Sequence, residues 1–194
     1  MAEHKSSESS VPSRADYELM EAIEAGSNTS WGKIYERHQS GLMRFCGNFT
    51  ADPQLAEDWA QEALLRLKEN AHTFQKGAPV KPWLYKIARN ICHEHARHNR
   101  EVQWSDSVFA TRAISLMDSG PSPASKIAGR ELGSELKILL MKLSEEQRIV
   151  FLLKYVEDLS RKEIAEVLNI PEATVKIRLG RALKFMRERL DQNS

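Results

Sequence analysis

The sequence predicts an all-α fold of two small helical domains, an N-terminal helical bundle and a C-terminal helix-turn-helix, joined by a flexible linker. Apolar residues recur at three- and four-residue steps along almost the whole chain, the period of an amphipathic helix. Glycine is scarce, with 9 in 194 residues, and runs of β-branched residues are short. The recurrence fades between Arg100 and Ser125, where Ser119-Gly120-Pro121-Ser122-Pro123 and scattered charges read as a linker.

Each element has its own local signal. A first helix over about Ala15–Ala25 stops at Gly26-Ser27-Asn28. A second, about Ser30–Phe49, carries Trp31, Ile34, Tyr35, His38, Leu42 and Phe45 on one side. Asp52-Pro53 supplies an N-cap followed by proline at the first helical position, where its missing N–H costs little. The helix so started runs to about Asn70, with Leu55, Trp59, Ala63 and Leu67 as its apolar row. After a loop, Thr73–Val80, another helix spans about Lys81–Asn99. Beyond the linker a helix is expected at about Ser125–Lys142. Ser144-Glu145-Glu146-Gln147 and Ser160-Arg161-Lys162-Glu163 are capping-box sequences, each opening a further helix. Leu168-Asn169-Ile170-Pro171 makes a tight turn, with Asn169 able to take the left-handed conformation. The last helix runs from near Pro171 to about Leu190. The expected divisions are a disordered tail at residues 1–14, a bundle at 15–99, a linker at 100–125 and a second domain at 126–190.

Composition narrows the class. The formal net charge is only +1, yet Glu172–Ser194 holds six Lys or Arg against three acids. Acids gather elsewhere, as along Glu57–Glu62, so one face suits DNA and another suits a basic protein surface. Cys46 and Cys92 form no CxxC pair and read as small buried residues of a reducing compartment. No apolar run approaches the roughly 20 residues that span a bilayer, and the polar Ser-rich start is no signal peptide. A cytoplasmic protein without membrane insertion is expected.

Two helices separated by so short a turn cross steeply, which is the helix-turn-helix arrangement. In the last helix, Val175, Leu179, Ala182, Leu183, Met186 and Leu190 follow one face and read as core. The opposite face presents Lys176, Gly180, Arg181 and Lys184, with Glu172 and Thr174 at its N-terminal end. Free N–H groups there suit a phosphate, and the turns that follow suit base edges in the major groove. A solvated charged face on an ordinary bundle is the plain alternative. The short turn, the capped helix before it and the confinement of basic charge to one stripe weigh against it.

The segments Leu143–Phe151, Leu159-Ser160 with Glu163-Ile164-Ala165, Pro171–Lys176, and Arg178-Leu179 with Arg181-Ala182 resemble region four of the extracytoplasmic-function (ECF) sigma factors. Asp52…Leu55–Glu62…Leu65 and Phe74…Pro82–Asn90 resemble region two of the same family. Together the matches cover about Glu18–Arg189 and leave the linker unmatched. The resemblance implies a factor that binds core RNA polymerase and promoter DNA, reads the −35 and −10 elements, and carries out no bond chemistry of its own. Family DNA contacts fall on Lys176, Ile177, Gly180 and Arg181, with Thr174 and Arg178 nearby.

In the N-terminal half, Glu57, Asp58, Gln61 and Glu62 make an acidic, hydrogen-bonding patch beside Trp59 and Leu65. Solubility alone would account for it. The resemblance implies docking on the β′ clamp helices of polymerase, with the β flap as a further contact. The helix after the loop combines Trp83 and Tyr85 with Lys86, Arg89, Asn90, Arg97 and Arg100, and stacking surfaces beside cations suit single-stranded DNA. The resemblance implies capture of the melted −10 strand, Asn90 matching a contact position and the loop Phe74–Val80, with Lys76, holding a flipped base. Trp83 and Ile87 also read as core.

Cys92-His93-Glu94-His95-Ala96-Arg97-His98 offers metal-ligand residue types, but HExxH spacing is absent and no second ligand pair is evident. These histidines read as facing DNA phosphate or solvent, and no metal or cofactor is expected. A dimeric helix-turn-helix repressor or activator is the competing reading, and a metal-dependent hydrolase a distant third. The resemblance also allows an anti-sigma factor as partner, with sequestration at the membrane.

Overall fold

The structure, a computed structural model, describes residues 14–50, 52–75, 77–98, 138–140 and 142–191. The expected linker and most of the helix expected at Ser125–Lys142 lie outside these residues, as does the tail up to Ser13. Among the described residues are seven bounded α-helices, one 3-10 turn and a helical piece at Ile138–Leu140, and no strand.

The N-terminal half holds α1 (Arg14–Glu24), α2 (Asn28–Cys46), α3 (Pro53–Glu69), a 3-10 turn at Ala71–Thr73, and α4 (Val80–His98). Ser27 caps α2 by accepting from the Ser30 N–H at 3.2 Å. Asp52 caps α3 by accepting from the Gln54 N–H at 2.9 Å, with Pro53 directly after it. Each such cap contributes about 1 kcal/mol. α2 packs on α1, α3 and α4 around Ile34, Leu42, Leu64, Leu67, Leu84 and Ile91, all fully buried. α1 is tied to α2 by the buried Asp16, which accepts from Arg37 and lies 3.4 Å from His38 Nε2. Burial pushes the Asp16 carboxyl up, but His38 and Arg37 outweigh it and hold the group below the usual carboxylate range.

The C-terminal half holds α5 (Glu145–Tyr155), α6 (Arg161–Leu168) and α7 (Glu172–Asp191). Both expected capping boxes form: Ser144 with Gln147 opens α5, and Ser160 with Glu163 opens α6. Asn169 ends α6 in the left-handed conformation, φ 53°, with its N–H bonded to the Ala165 carbonyl.

The two halves are in contact. α4 lies against α6, and one buried cluster runs from Met20 and Ile34 through Leu84 to Ile149, Val150, Leu153, Ile164 and Val175. The cause lies in α5, where Arg148, Ile149, Val150, Phe151, Leu152 and Leu153 are buried in succession. A helix apolar on all sides needs cover on all sides. Ile149, Val150 and Leu153 join the shared cluster. Phe151 and Leu152 join a second one with Leu139, Leu140, Leu143, Ala182 and Met186.

Candidate nucleic-acid interface

α7 is sorted into two faces. Val175, Leu179, Ala182 and Met186 are buried, spaced by three and four residues as core residues of one helix face must be. Lys176, Ile177, Gly180, Arg181 and Lys184 are exposed. Ile177, 53% exposed, is a large apolar side chain standing in water among cations. Thr174 and Arg178 are half-buried at the edge of this stripe. Arg178 pairs through Nη2 with Glu146 Oε1 at 2.8 Å, so it also braces α7 against α5. Lys184 Nζ lies 3.8 Å from Glu188. Leu183, expected in the core, is 39% exposed; Val175, Leu179, Ala182 and Met186 already fill the inward face, and Leu183 falls beside it. Arg161, at the start of α6, reaches towards Glu172 at the start of α7, 3.8 Å away, across the turn that joins them.

On α4 the expected site residues part company. Lys86 and Asn90 are exposed, and Trp83 and Arg89 are half-buried. Phe74 and Trp83 pack together with ring centroids 5.2 Å apart. Tyr85, expected as a stacking surface, is instead fully buried with its ring edge against Phe45 at 5.2 Å. The reason is spacing: with Leu84, Ala88, Ile91 and Cys92 it occupies the inward face of α4, and all five are 0% exposed. Lys76 and the side chain of Arg97 lie outside the described residues.

The acidic strip of α3 is partly committed. Gln61 donates to Glu57 at 3.2 Å, and Gln54 to Asp58 at 3.2 Å. Glu62 pairs with Arg66 at 2.6 Å and lies 3.2 Å from His95, while Arg66 also reaches Glu94 at 3.0 Å. The bond to Glu94 is the main reason that the Arg66 guanidinium is held above its ordinary value. Leu65 stands out of the strip, 53% exposed.

Cys92, His93 and His95 go to separate surroundings, and the side chain of His98 lies outside the described residues. Cys92 is buried beside Cys46, and burial pushes its thiol well up, with Cys46 adding to the shift. His93 packs on Phe49, and His95 stacks on Trp59 with centroids 5.4 Å apart. Among the described residues no three metal-ligating groups cluster.

A helical bundle followed by a helix-turn-helix with a basic outer stripe defines a DNA-binding protein. Residues 34–102 match Sigma-70 region 2, and residues 135–186 match Sigma-70, region 4. The ECF RNA polymerase sigma factor SigM of Bacillus subtilis is 32% identical over 151 residues, covering 77% of this chain and 88% of that protein. The ECF RNA polymerase sigma factor SigW of the same organism is 29% identical over 173 residues, covering 87% and 92%. Among solved structures, CnrH in complex with the cytosolic domain of CnrY has the same fold. Its TM-score is 0.62 and its identity 22%, over 93% of this chain and 99% of that one. The chain belongs to the ECF sigma factors, and its function is that of an RNA polymerase sigma factor in transcription initiation.

The functional sequence patterns missed one group of residues. Arg44, Asn48, Lys81, Arg148 and Glu157 meet where the two halves touch. Their signal was present only in the unbroken apolar run Ile149–Leu153, which asks for a second covering surface.

Proposed function

We propose that the chain loads onto core RNA polymerase through α3 and reads the promoter at two points, α7 on the −35 element and α4 with its preceding loop on the −10 element. The observation that carries this reading is the division of α7, whose buried row faces a basic row ending in open solvent. Lys176, Gly180, Arg181 and Lys184 would meet the major groove, with Thr174 at the phosphate end and Ile177 against a thymine methyl. Arg178 positions α7 through Glu146 while keeping a half-exposed edge towards DNA.

On α4, Trp83, Lys86, Arg89 and Asn90 would hold the melted strand with Phe74 as a stacking partner. Lys76 and Arg97 belong to the same reading, as phosphate partners. Tyr85 supports the helix from within. Glu57, Asp58, Gln61, Glu62 and the exposed Leu65 form the face for the β′ clamp helices, and the C-terminal half meets the β flap. The chain does no bond chemistry; polymerase does. Its place is the cytoplasm, and no helix among the described residues is long and apolar enough to cross a membrane. An anti-sigma partner is part of the reading, supported by the solved complexes of CnrH with CnrY and of RpoE with the anti-sigma factor NepR. Sequestration at the membrane would follow if that partner is itself anchored.

In-vitro transcription with core polymerase is the test. Promoter-specific product that depends on this chain is expected. Folded protein that binds no core enzyme would sink the reading.

A further inference from the structure

Trp59 and Glu62 stand three positions apart on α3 and so lie side by side on its surface. His95, in the last turn of α4, touches both. Its ring lies flat on the buried Trp59, 18° from parallel and with centroids 5.4 Å apart. Its Nε2 lies 3.2 Å from Glu62 Oε2. The other oxygen of the same carboxylate, Oε1, takes Arg66 Nη2 at 2.6 Å. Arg66 in turn donates at 3.0 Å to Glu94, the neighbour of His95 on α4. Both oxygens of Glu62 are thus held, one of them from another helix.

A glutamate on a helix surface otherwise samples several rotamers, and a partner that uses it loses affinity in ordering it. Here the ordering precedes any partner. A carboxylate has about four lone-pair sites, and Arg66 and His95 take one each. The Glu62 side chain is 35% exposed, so the remaining sites can accept from a cation outside. The ring stack sets the geometry. A buried indole face gives the imidazole one plane to lie in, and that plane carries Nε2 to Glu62. Within the run Cys92–His98, Cys92 is buried and His93 packs on Phe49, so His95 is the member placed for this role.

We propose that His95 is a positioning residue for polymerase binding, which with Arg66 aims the Glu62 carboxylate at a Lys or Arg side chain of core RNA polymerase. The proposal rests on the reading of α3 as the polymerase-binding face. His95 acts only through Glu62. Without the imidazole, Oε2 loses its partner and Arg66 alone draws the carboxylate along α3. The cost is that of ordering one side chain on binding, about three- to tenfold in affinity. Glutamine in place of His95 sets an amide nitrogen where Nε2 stands, so H95Q keeps the bond to Glu62.

Equilibrium binding of the full chain to core RNA polymerase is the test, with circular dichroism to confirm unchanged helix content. H95A is expected to bind about three- to tenfold more weakly than the wild type, and H95Q to recover most of that loss. E62A should also bind more weakly, and H95A/E62A no more weakly than E62A, because His95 then has no carboxylate to aim. Affinity of H95A equal to wild type overturns the proposal, as does H95Q as weak as H95A. An equal loss from H95A with and without Glu62 also overturns it, since a plain brace between α3 and α4 would give that result. E62A as tight as wild type overturns it too, because Glu62 then meets nothing on polymerase. D58K/L65D separates this last outcome from failure of the docking reading. Weaker binding keeps α3 as the polymerase face without Glu62, and binding as tight as wild type removes that reading as well. A wild type that binds no core enzyme removes both.

Discussion

Arg148 and Asn48, 100 positions apart in sequence, are joined by a hydrogen bond from Arg148 Nε to Asn48 Oδ1 at 2.9 Å. Both are buried, 5% and 1% exposed. Asn48 is aimed by its own surroundings: its Nδ2 donates to the Arg44 carbonyl at 2.8 Å and the Phe45 carbonyl at 3.3 Å, which leaves Oδ1 turned towards α5. Arg148→Met keeps the volume and strands that oxygen, a loss of about 1–3 kcal/mol. Urea unfolding of R148M, N48A and the double variant should give a coupling energy of at least about 1 kcal/mol. Additive losses would show that the two residues act independently.

The two capping boxes have different geometry, and their stabilities should differ in the same order. Around Ser160 the N–H of Glu163 reaches Oγ at 3.2 Å and the Ser160 N–H reaches the Glu163 carboxylate at 2.7 Å. Around Ser144 both bonds are 3.4 Å and the acceptor is a neutral amide. A charged acceptor near a helix N-terminus also meets the helix dipole favourably. Ser160→Ala should therefore cost about 1–2 kcal/mol and Ser144→Ala about 0.5–1 kcal/mol. Thermal unfolding of the two single variants checks the order.

These boxes and the left-handed Asn169 were legible in the sequence because each is decided within four residues. The inward row of α7 was nearly so, since helical spacing fixes which side chains share a face; Leu183 fell on the margin of that face. At Tyr85 two features of the sequence pointed in opposite directions. Its aromatic ring beside Lys86 and Arg89 suggested a surface for bases, while its spacing from Leu84, Ala88 and Ile91 placed it inside, and spacing won. The Glu157–Arg44 pair was beyond local reading altogether. It joins residues 113 apart, and no periodicity links a short turn after α5 to the last turn of α2. The composition of α5 held the one clue, five apolar residues in a row where a single-sided helix would show two or three.

Glu157 and Asp16 should both shape the acid limb of stability. Burial alone would raise the Glu157 carboxyl, but the Arg44 hydrogen bond, the Lys81 charge and the Tyr85 hydroxyl outweigh it and hold the group below its ordinary value. Asp16 is held down against burial in the same way by His38 and Arg37. The unfolded chain then binds more protons at these positions than the folded one, so stability rises with pH there. The contribution is complete above the ordinary carboxylate range, about pH 4–4.5, and is lost as pH falls through the lowered folded-state values. Urea midpoints measured between about pH 3 and pH 6 should climb less steeply in E157Q and in D16N than in the wild type. A slope unchanged by E157Q would mean that Arg44 and Lys81 do not hold the carboxylate in its charged form.

Gly180 offers a test that separates the needs of the fold from those of the proposed DNA contact. It sits within α7 on the exposed face, and a Cβ there would meet nothing within 4 Å, so no packing demands a glycine. Glycine in a helix interior costs about 1 kcal/mol relative to alanine. A residue that the folded chain would be better without is explained if something from outside comes close to that face. Gly180→Ala should raise the urea-derived stability by up to about 1 kcal/mol. In the same protein, promoter affinity of the holoenzyme should fall about fivefold, equivalent to roughly 1 kcal/mol. Opposite signs in the two measurements are expected because the methyl group favours the helix and, on the proposed −35 reading, would stand where the groove wall approaches. Equal promoter affinity in G180A and wild type would place the DNA contact elsewhere on the stripe, towards Lys176 and Ile177.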